Sequence, residues 1–219
     1  MTIASWLLLA VAGVFAVADW IAVHRRSKPV ELVCKPAAMV ALIGAALVLD
    51  PTDGAARNWF VVAFVLSLAG DVFLMVPASR ASVVSSLFIA GLASFLVGHL
   101  LFVVGMWTEG VDSVGLVAGA VLVLALLLTL GRRILAAVRS GRGPSLVVPV
   151  AAYIGVISAM VVSAVGLGEP WAVAGAALFY GSDALIAWNR FVAALTWAPV
   201  TIMVTYHLAQ AALLLSLTT

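Results

Sequence analysis

Long apolar runs alternate with short polar turns along the whole chain. The runs fall at about 3–23, 36–50, 58–77, 84–107, 114–131, 145–167, 171–189 and 197–217. All but the second and fifth approach the ~20 residues that a helix needs to cross a bilayer. The second is short enough to lie tilted or partly sunk. Lipid cannot satisfy open backbone groups, so helices are expected throughout. The pattern predicts an all-α protein, an eight-transmembrane-helix bundle forming one integral membrane domain over residues 1–219.

Composition agrees. The chain is 65% hydrophobic and 9% charged, with a mean hydropathy of +1.26, more apolar surface than a soluble protein could hide. No nucleotide-binding loop, CxxC pair or HExxH is present, and no nucleic-acid partner is expected. The single cysteine, Cys34, allows no intrachain disulfide and reads as filler at a helix edge. Ala16-Val17-Ala18 resembles a signal-peptide cleavage site. However, the basic residues follow the first apolar run, as His24-Arg25-Arg26-Ser27-Lys28, instead of preceding it. That is the wrong polarity for a signal peptide, so 3–23 is kept as the first crossing. Scarce lysine beside abundant Ala, Val and Gly hints at a GC-rich bacterial genome, and so at a bacterial inner (cell) membrane.

Charge orients the bundle. Arg25, Arg26, Lys28, Lys35, Arg80, Arg132, Arg133, Arg139, Arg142 and Arg190 fall on one side of an eight-helix arrangement, and only Arg57 on the other. The opposite side holds Asp50, Asp53, Glu109, Asp112 and Glu169. By the positive-inside rule both termini lie on the non-cytoplasmic side. The tryptophans repeat the count at helix ends: Trp6, Trp59, Trp107 and Trp171 outside, Trp20, Trp188 and Trp197 inside. The longest loop, about 132–144, is basic and expected to rest on anionic headgroups.

A few polar residues do not belong in such runs. Asp71 and Asp183 lie inside crossings three and seven. A carboxylate in hydrocarbon costs roughly 3 to more than 10 kcal/mol unless paired, wetted or protonated. At ~1.5 Å per residue, each is roughly 9 Å from the cytoplasmic end of its helix, and Asp19 roughly 6 Å from the end of the first. Lys35, Asn189 and Arg190 sit at the same interface. Six polar groups from four crossings therefore share one layer beneath the inner headgroups. Tyr206 and His207 lie near the midplane, with His99 further outward. Each has a plainer reading. Asp19 and Arg190 suit end-of-helix charges that snorkel, and Lys35 an orientation anchor. His99 and His207 suit core histidines, and Tyr153, Tyr180 and Gln210 packing. Gly115-xxx-Gly119 reads as close helix packing. Gly70-Asp71 followed by His99, and Ser182-Asp183 followed by His207, form a faint echo of a duplicated four-helix unit with both halves in the same orientation.

At these residues the chain resembles the YhhN family of membrane proteins, which includes the lysoplasmalogenases. The matching pieces are Lys35-Pro36 opening the second helix, Gly70-Asp71-Val72-Phe73-Leu74, and Phe95-xxx-His99. They continue with Gly175-Ala176-Ala177-Leu178-Phe179-Tyr180-Gly181-Ser182-Asp183, Asn189-Arg190-Phe191 and Tyr206-xxx-Gln210. His207 departs from the pattern, which more often has an aromatic there. The resemblance implies an eight-helix membrane hydrolase that cleaves the vinyl ether of lysoplasmalogens to a fatty aldehyde and a glycerophospho-headgroup, with no organic cofactor.

The residues suit that chemistry. Vinyl ether hydrolysis starts with protonation of the distal alkenyl carbon and passes through an oxocarbenium ion to which water adds. It needs a protonated general acid near neutral pH and a second carboxylate, as glycosidases do. Asp71 and Asp183 are the candidate pair, and which of them is the acid stays open. His99 would relay a proton or hold one aspartate. Lys35, Asn189, Arg190, Tyr206, Gln210 and Asp19 would bind the lysophospholipid, with Lys35 and Arg190 at its phosphate. Two other classes fit parts of the pattern. One is a zinc-dependent, ceramidase-like hydrolase using His99, His207 and an aspartate, disfavoured by their differing depths. The other is a proton-coupled transporter, disfavoured because both acids lie off the midplane and no paired broken helices appear. A lipid-binding or assembly protein without turnover stays open beside these two.

Overall fold

The computed structural model describes residues 1–76, 81–141 and 144–219, without the side chains of 81–85 and 144. Arg80, Arg142 and the expected helix end at residue 77 lie outside the described residues. Nine α-helices run in order among the described residues: α1 (Ile3–His24), α2 (Lys28–Val48), α3 (Gly54–Met75), α4 (Ala81–Glu109), α5 (Ser113–Leu126), α6 (Arg132–Ser140), α7 (Val147–Leu167), α8 (Pro170–Ala187) and α9 (Ala198–Leu215). A π-helical segment, Leu127–Gly131, joins α5 to α6, and another, Trp188–Val192, extends α8. The continuous pieces make eight helices long and apolar enough to cross a membrane, the number expected.

Two boundaries differ from expectation in ways that matter. The second helix starts at Lys28, not near residue 36, and carries Pro36 inside it. Pro36 forfeits the bond to the carbonyl of Leu32, which usually marks a helix start. Here Pro29 already occupies the first turn, where a missing N–H costs nothing. A Lys28–Glu31 pair at 2.8 Å supports the same turn. Lys35 therefore sits two turns inside the helix and is buried. The second difference is the expected basic loop. The chain is helical from Ser113 to Ser140, so Arg132, Arg133 and Arg139 project from a helix end that the π segment carries onward.

The chain divides into two compact units, residues 1–108 with 217–219, and residues 109–216. In the first, α1 packs on α2 and α2 on α3. The α1–α2 turn is closed by Arg26 N–H on the Val23 carbonyl and Ser27 N–H on that of Ala22. Arg26 takes the left-handed conformation usually left to glycine, with φ 57°. Asp53 starts α3 by accepting the amides of Ala55 and Ala56. Helix α4 meets α3 through Gly91, Gly98 and Gly105, which recur every seven residues. A Cβ on Gly98 would lie 3.3 Å from the Ala63 carbonyl, and one on Gly105 would lie 2.7 Å from the Phe60 ring. Small residues at that period let two backbones run close together without a hydrophobic driving force. The C-terminal residues are tied in where Thr52 N–H donates to Leu217 O and its hydroxyl to Thr219 O.

In the second unit α5 packs on α7, α7 on α8 and α8 on α9. Asp112 caps α5, and Glu169 caps α8 ahead of Pro170. Three of the acids expected on the outer face, Asp53, Asp112 and Glu169, thus start helices. The Gly115–Gly119 reading holds: a Cβ on Gly119 would stand 2.9 Å from Val162 Cα, and one on Gly115 would stand 2.5 Å from the Val165 carbonyl. Since the obstacle is backbone, Gly119→Ala is expected to force α5 off α7. The cost is about 1–3 kcal/mol, read as a lowered melting temperature in detergent. Ile134 and Val138 of α6 and Val150 of α7 form a small core against Trp188 and Phe191 of the π segment.

Candidate active site

In the first unit three helices bring their charges together. Lys35 Nζ on α2 lies 2.7 Å from Asp71 Oδ1 on α3, with side-chain exposures of 7% and 1%. Two charges taken from water at that depth cost several kcal/mol each, and only their attraction in a poorly screening medium offsets it. Asp19 on α1 has Lys35 and Asp71 among its charged neighbours. It is wholly buried, and neither of its carboxylate oxygens meets a hydrogen-bond partner among the described residues. Of the expected inner polar layer, Lys35 and Asp71 are in contact in this unit.

Glycine fixes the surroundings of Asp71. The Phe95 ring of α4 occupies the space a Cβ on Gly70 would need, with ring atoms 2.6 Å from that position. The neighbour of Asp71 in sequence is therefore the floor on which Phe95 rests. His99 lies one turn further along α4, buried, its ring 6.5 Å from that of Phe95. The adjacent Gly98 faces Ala63, Leu66 and Ser67, so His99 stands one to two turns of α3 beyond Asp71.

In the second unit the acid has a different partner. The Tyr153 hydroxyl of α7 donates to Asp183 Oδ2 of α8 at 2.6 Å. Sequence reasoning assigned Tyr153 to packing. The missed signal was depth: Tyr153 is six residues into α7, roughly 9 Å from its start, matching the depth expected of Asp183. Next to Asp183, the Ser182 hydroxyl donates to the Ile202 carbonyl at 3.1 Å, joining α8 to α9. The Tyr206 ring stands edge-on to Phe179 at 5.5 Å and 5.3 Å from that of His207. Gln210, one turn on, is fully buried, and its amide has no partner among the described residues.

Asn189 and Arg190 part company. Asn189 Oδ1 accepts the Leu195 amide at 2.7 Å and so closes the α8–α9 connection. Arg190 is exposed, its guanidinium 5.7 Å from the centre of the Phe191 ring. Among the described residues no three His, Cys, Asp or Glu side chains gather as a metal site would require.

Described separately, the two units share a plan. In each, an acid on the third crossing is bonded to a side chain of the second: Asp71 to Lys35, Asp183 to Tyr153. The partner is a cation in one half and a neutral phenol in the other.

The comparisons with known proteins point one way. The YhhN family model matches residues 30–217. Human lysoplasmalogenase TMEM86B is 34% identical over 185 residues, 84% of this chain and 72% of the relative. A lysoplasmalogenase of Mycobacterium bovis is 33% identical over 161 residues, 71% of this chain and 58% of the relative. The rat TMEM86B is 34% identical over 167 residues, 74% and 63% of the two chains. No solved structure matches. With the family's span covering α2 to α9 and both bonded acids inside it, this chain belongs to the YhhN family.

Proposed function

We propose that this protein is a membrane-embedded hydrolase that cleaves the vinyl ether of lysoplasmalogens, releasing a fatty aldehyde and a glycerophospho-headgroup. The observation that carries the reading is the naming of its relatives as lysoplasmalogenases over 71–84% of the chain. Two acids within the apolar helices, Asp71 buried and Asp183 half-buried, each with a defined partner, support the chemistry.

The partners suggest a division of labour. Asp183 faces a neutral phenol and is assigned the proton donor. Asp71 faces an ammonium and is assigned the carboxylate. Asp183 would protonate the distal alkenyl carbon, and the electron pair of the double bond forms the new C–H bond. The ether oxygen shares a lone pair with the adjacent carbon, giving the oxocarbenium ion. Asp71 would take a proton from the water that adds to this carbon, as a general base within hydrogen-bond reach does. The hemiacetal then collapses: its hydroxyl gives its proton to Asp183, the C–O bond to glycerol breaks, and the glycerol oxygen takes the proton held by Asp71, so both acids return to their starting states. The sum is substrate plus water to aldehyde plus glycerophospho-headgroup. Lys35, engaged with Asp71, becomes a positioning residue, and contact with the phosphate falls to the exposed Arg190. Substrate would enter sideways from the cytoplasmic leaflet, with both termini of the chain on the opposite side.

Purified protein in detergent, given a lysoplasmalogen in deuterated water, should yield aldehyde carrying one deuterium on the carbon next to the carbonyl. That label reports carbon protonation. A fatty acid product, or no product, sinks the reading. Tyr153→Phe removes a hydrogen bond to a carboxyl, worth about 1–3 kcal/mol. Turnover is expected to fall roughly 10- to 100-fold, with a modest drop in melting temperature from the carboxyl oxygen left without its donor. A cysteine placed at Thr219 should react with an impermeant maleimide from the non-cytoplasmic side of intact cells; labelling only after lysis would reverse the orientation.

A further inference from the structure

The cluster in the first unit holds two carboxyls and one ammonium. The ammonium of Lys35 is committed to Asp71 at 2.7 Å. Asp19 is completely buried, yet both of its oxygens are without a donor among the described residues. The other charged side chains near it, Lys28 and Glu31, are satisfied by each other at 2.8 Å. A buried acceptor left unmade is costly, and more so when it can carry charge. Native structures leave few such groups, and one that persists calls for a ligand, water or mechanism. Asp19 also precedes residue 30, where the family match begins, so nothing in that match assigns it a role.

We propose that Asp19 receives the free hydroxyl of the substrate's glycerol and thereby selects single-chain lipids over their two-chain counterparts. The inference rests on the hydrolase reading above and names the group that Asp19 meets. In a lysoplasmalogen the hydroxyl is on the carbon next to the one bearing the scissile ether. An acceptor for it must therefore stand beside the group that acts at the ether. Asp19 lies near enough to Lys35 and Asp71 for its charge to feel both, and Lys35 is bonded to Asp71. An acyl group on the same oxygen removes the donor and brings a carbonyl, itself an acceptor, against the carboxyl. Asp19 has no exposure, so the hydroxyl would reach it only as lipid parts the helices.

The test compares a lysoplasmalogen with its 2-deoxy analogue, using the full chain in detergent. Wild type should prefer the hydroxyl-bearing substrate by about 10- to 100-fold in kcat/KM, the range of one hydrogen bond to a charged group. Asp19→Ala should lose that factor on the hydroxyl substrate alone, bringing the ratio near one. Asp19→Leu fills the same space without a polar group and should behave alike, should the alanine variant fold poorly. A wild-type ratio near one, a ratio unchanged in both variants, or an equal loss on both substrates overturns the proposal. If wild type releases aldehyde but Asp19 does not govern the ratio, only this inference falls. If it releases none from either substrate, the hydrolase reading falls with it.

Discussion

Asp71→Asn and Asp183→Asn should each stop aldehyde release while the protein still inserts and purifies. Positioned acid–base groups contribute about 10²–10⁴-fold each, so the loss should take turnover close to background. Asparagine keeps the shape of the side chain but can neither donate the proton that forms the C–H bond nor accept one from water. The two variants should nonetheless differ in stability. Asp183→Asn keeps an acceptor for the Tyr153 hydroxyl that now donates at 2.6 Å, so its fold should be nearly untouched. Asp71→Asn leaves the Lys35 ammonium buried opposite a neutral group. Wild-type-like turnover in either variant would remove that aspartate from the mechanism. Comparing melting temperatures would separate a chemical loss from a folding one.

Lys35→Met should be the most destabilising single change in the first unit. It leaves the Asp71 carboxylate at 1% exposure with its cation gone and Asp19 beside it. Breaking a buried pair from one side typically costs about 3–5 kcal/mol, because the remaining charge has neither water nor a partner. Replacing both members with apolar or neutral groups of similar size is far cheaper. Lys35→Met combined with Asp71→Asn should therefore recover most of the lost stability and remain inactive. A double variant as unstable as Lys35→Met alone would mean that Lys35 supports the fold through packing and not through charge. A single variant as stable as wild type would mean that Asp71 does not depend on this cation.

The site was legible in part, and the misses have physical causes. Asp71 and Asp183 stood out because a carboxylate inside an apolar run is so costly that its presence is informative by itself. Tyr153 did not stand out, since tyrosine is at home in a membrane helix and only its bonded neighbour reveals its use. Lys35 was seen but misplaced. A proline one residue later suggested a helix start, whereas Ser27 and Pro29 had already provided one. Asn189 looked like a ligand for substrate because it lay in the polar layer, yet its carbonyl is spent on the Leu195 amide. The basic stretch after residue 131 read as a loop because its charges end the apolar run, although charge alone does not stop a helix whose backbone bonds continue.

What the sequence determined by itself is the all-helical class, the eight helices long and apolar enough to cross a membrane, and where along them the unusual polar residues fall. Each follows from a one-dimensional rule: backbone groups in lipid must be satisfied within the helix, spans have a set length, and rise per residue is constant. Which polar groups touch was decided only by tertiary structure. Two residues at equal depth on different helices meet or miss according to helix rotation and spacing. Those are set by glycine contacts such as Gly70 on Phe95 and Gly98 on Ala63. Packing of this kind decides that Asp71 meets a lysine and Asp183 a tyrosine.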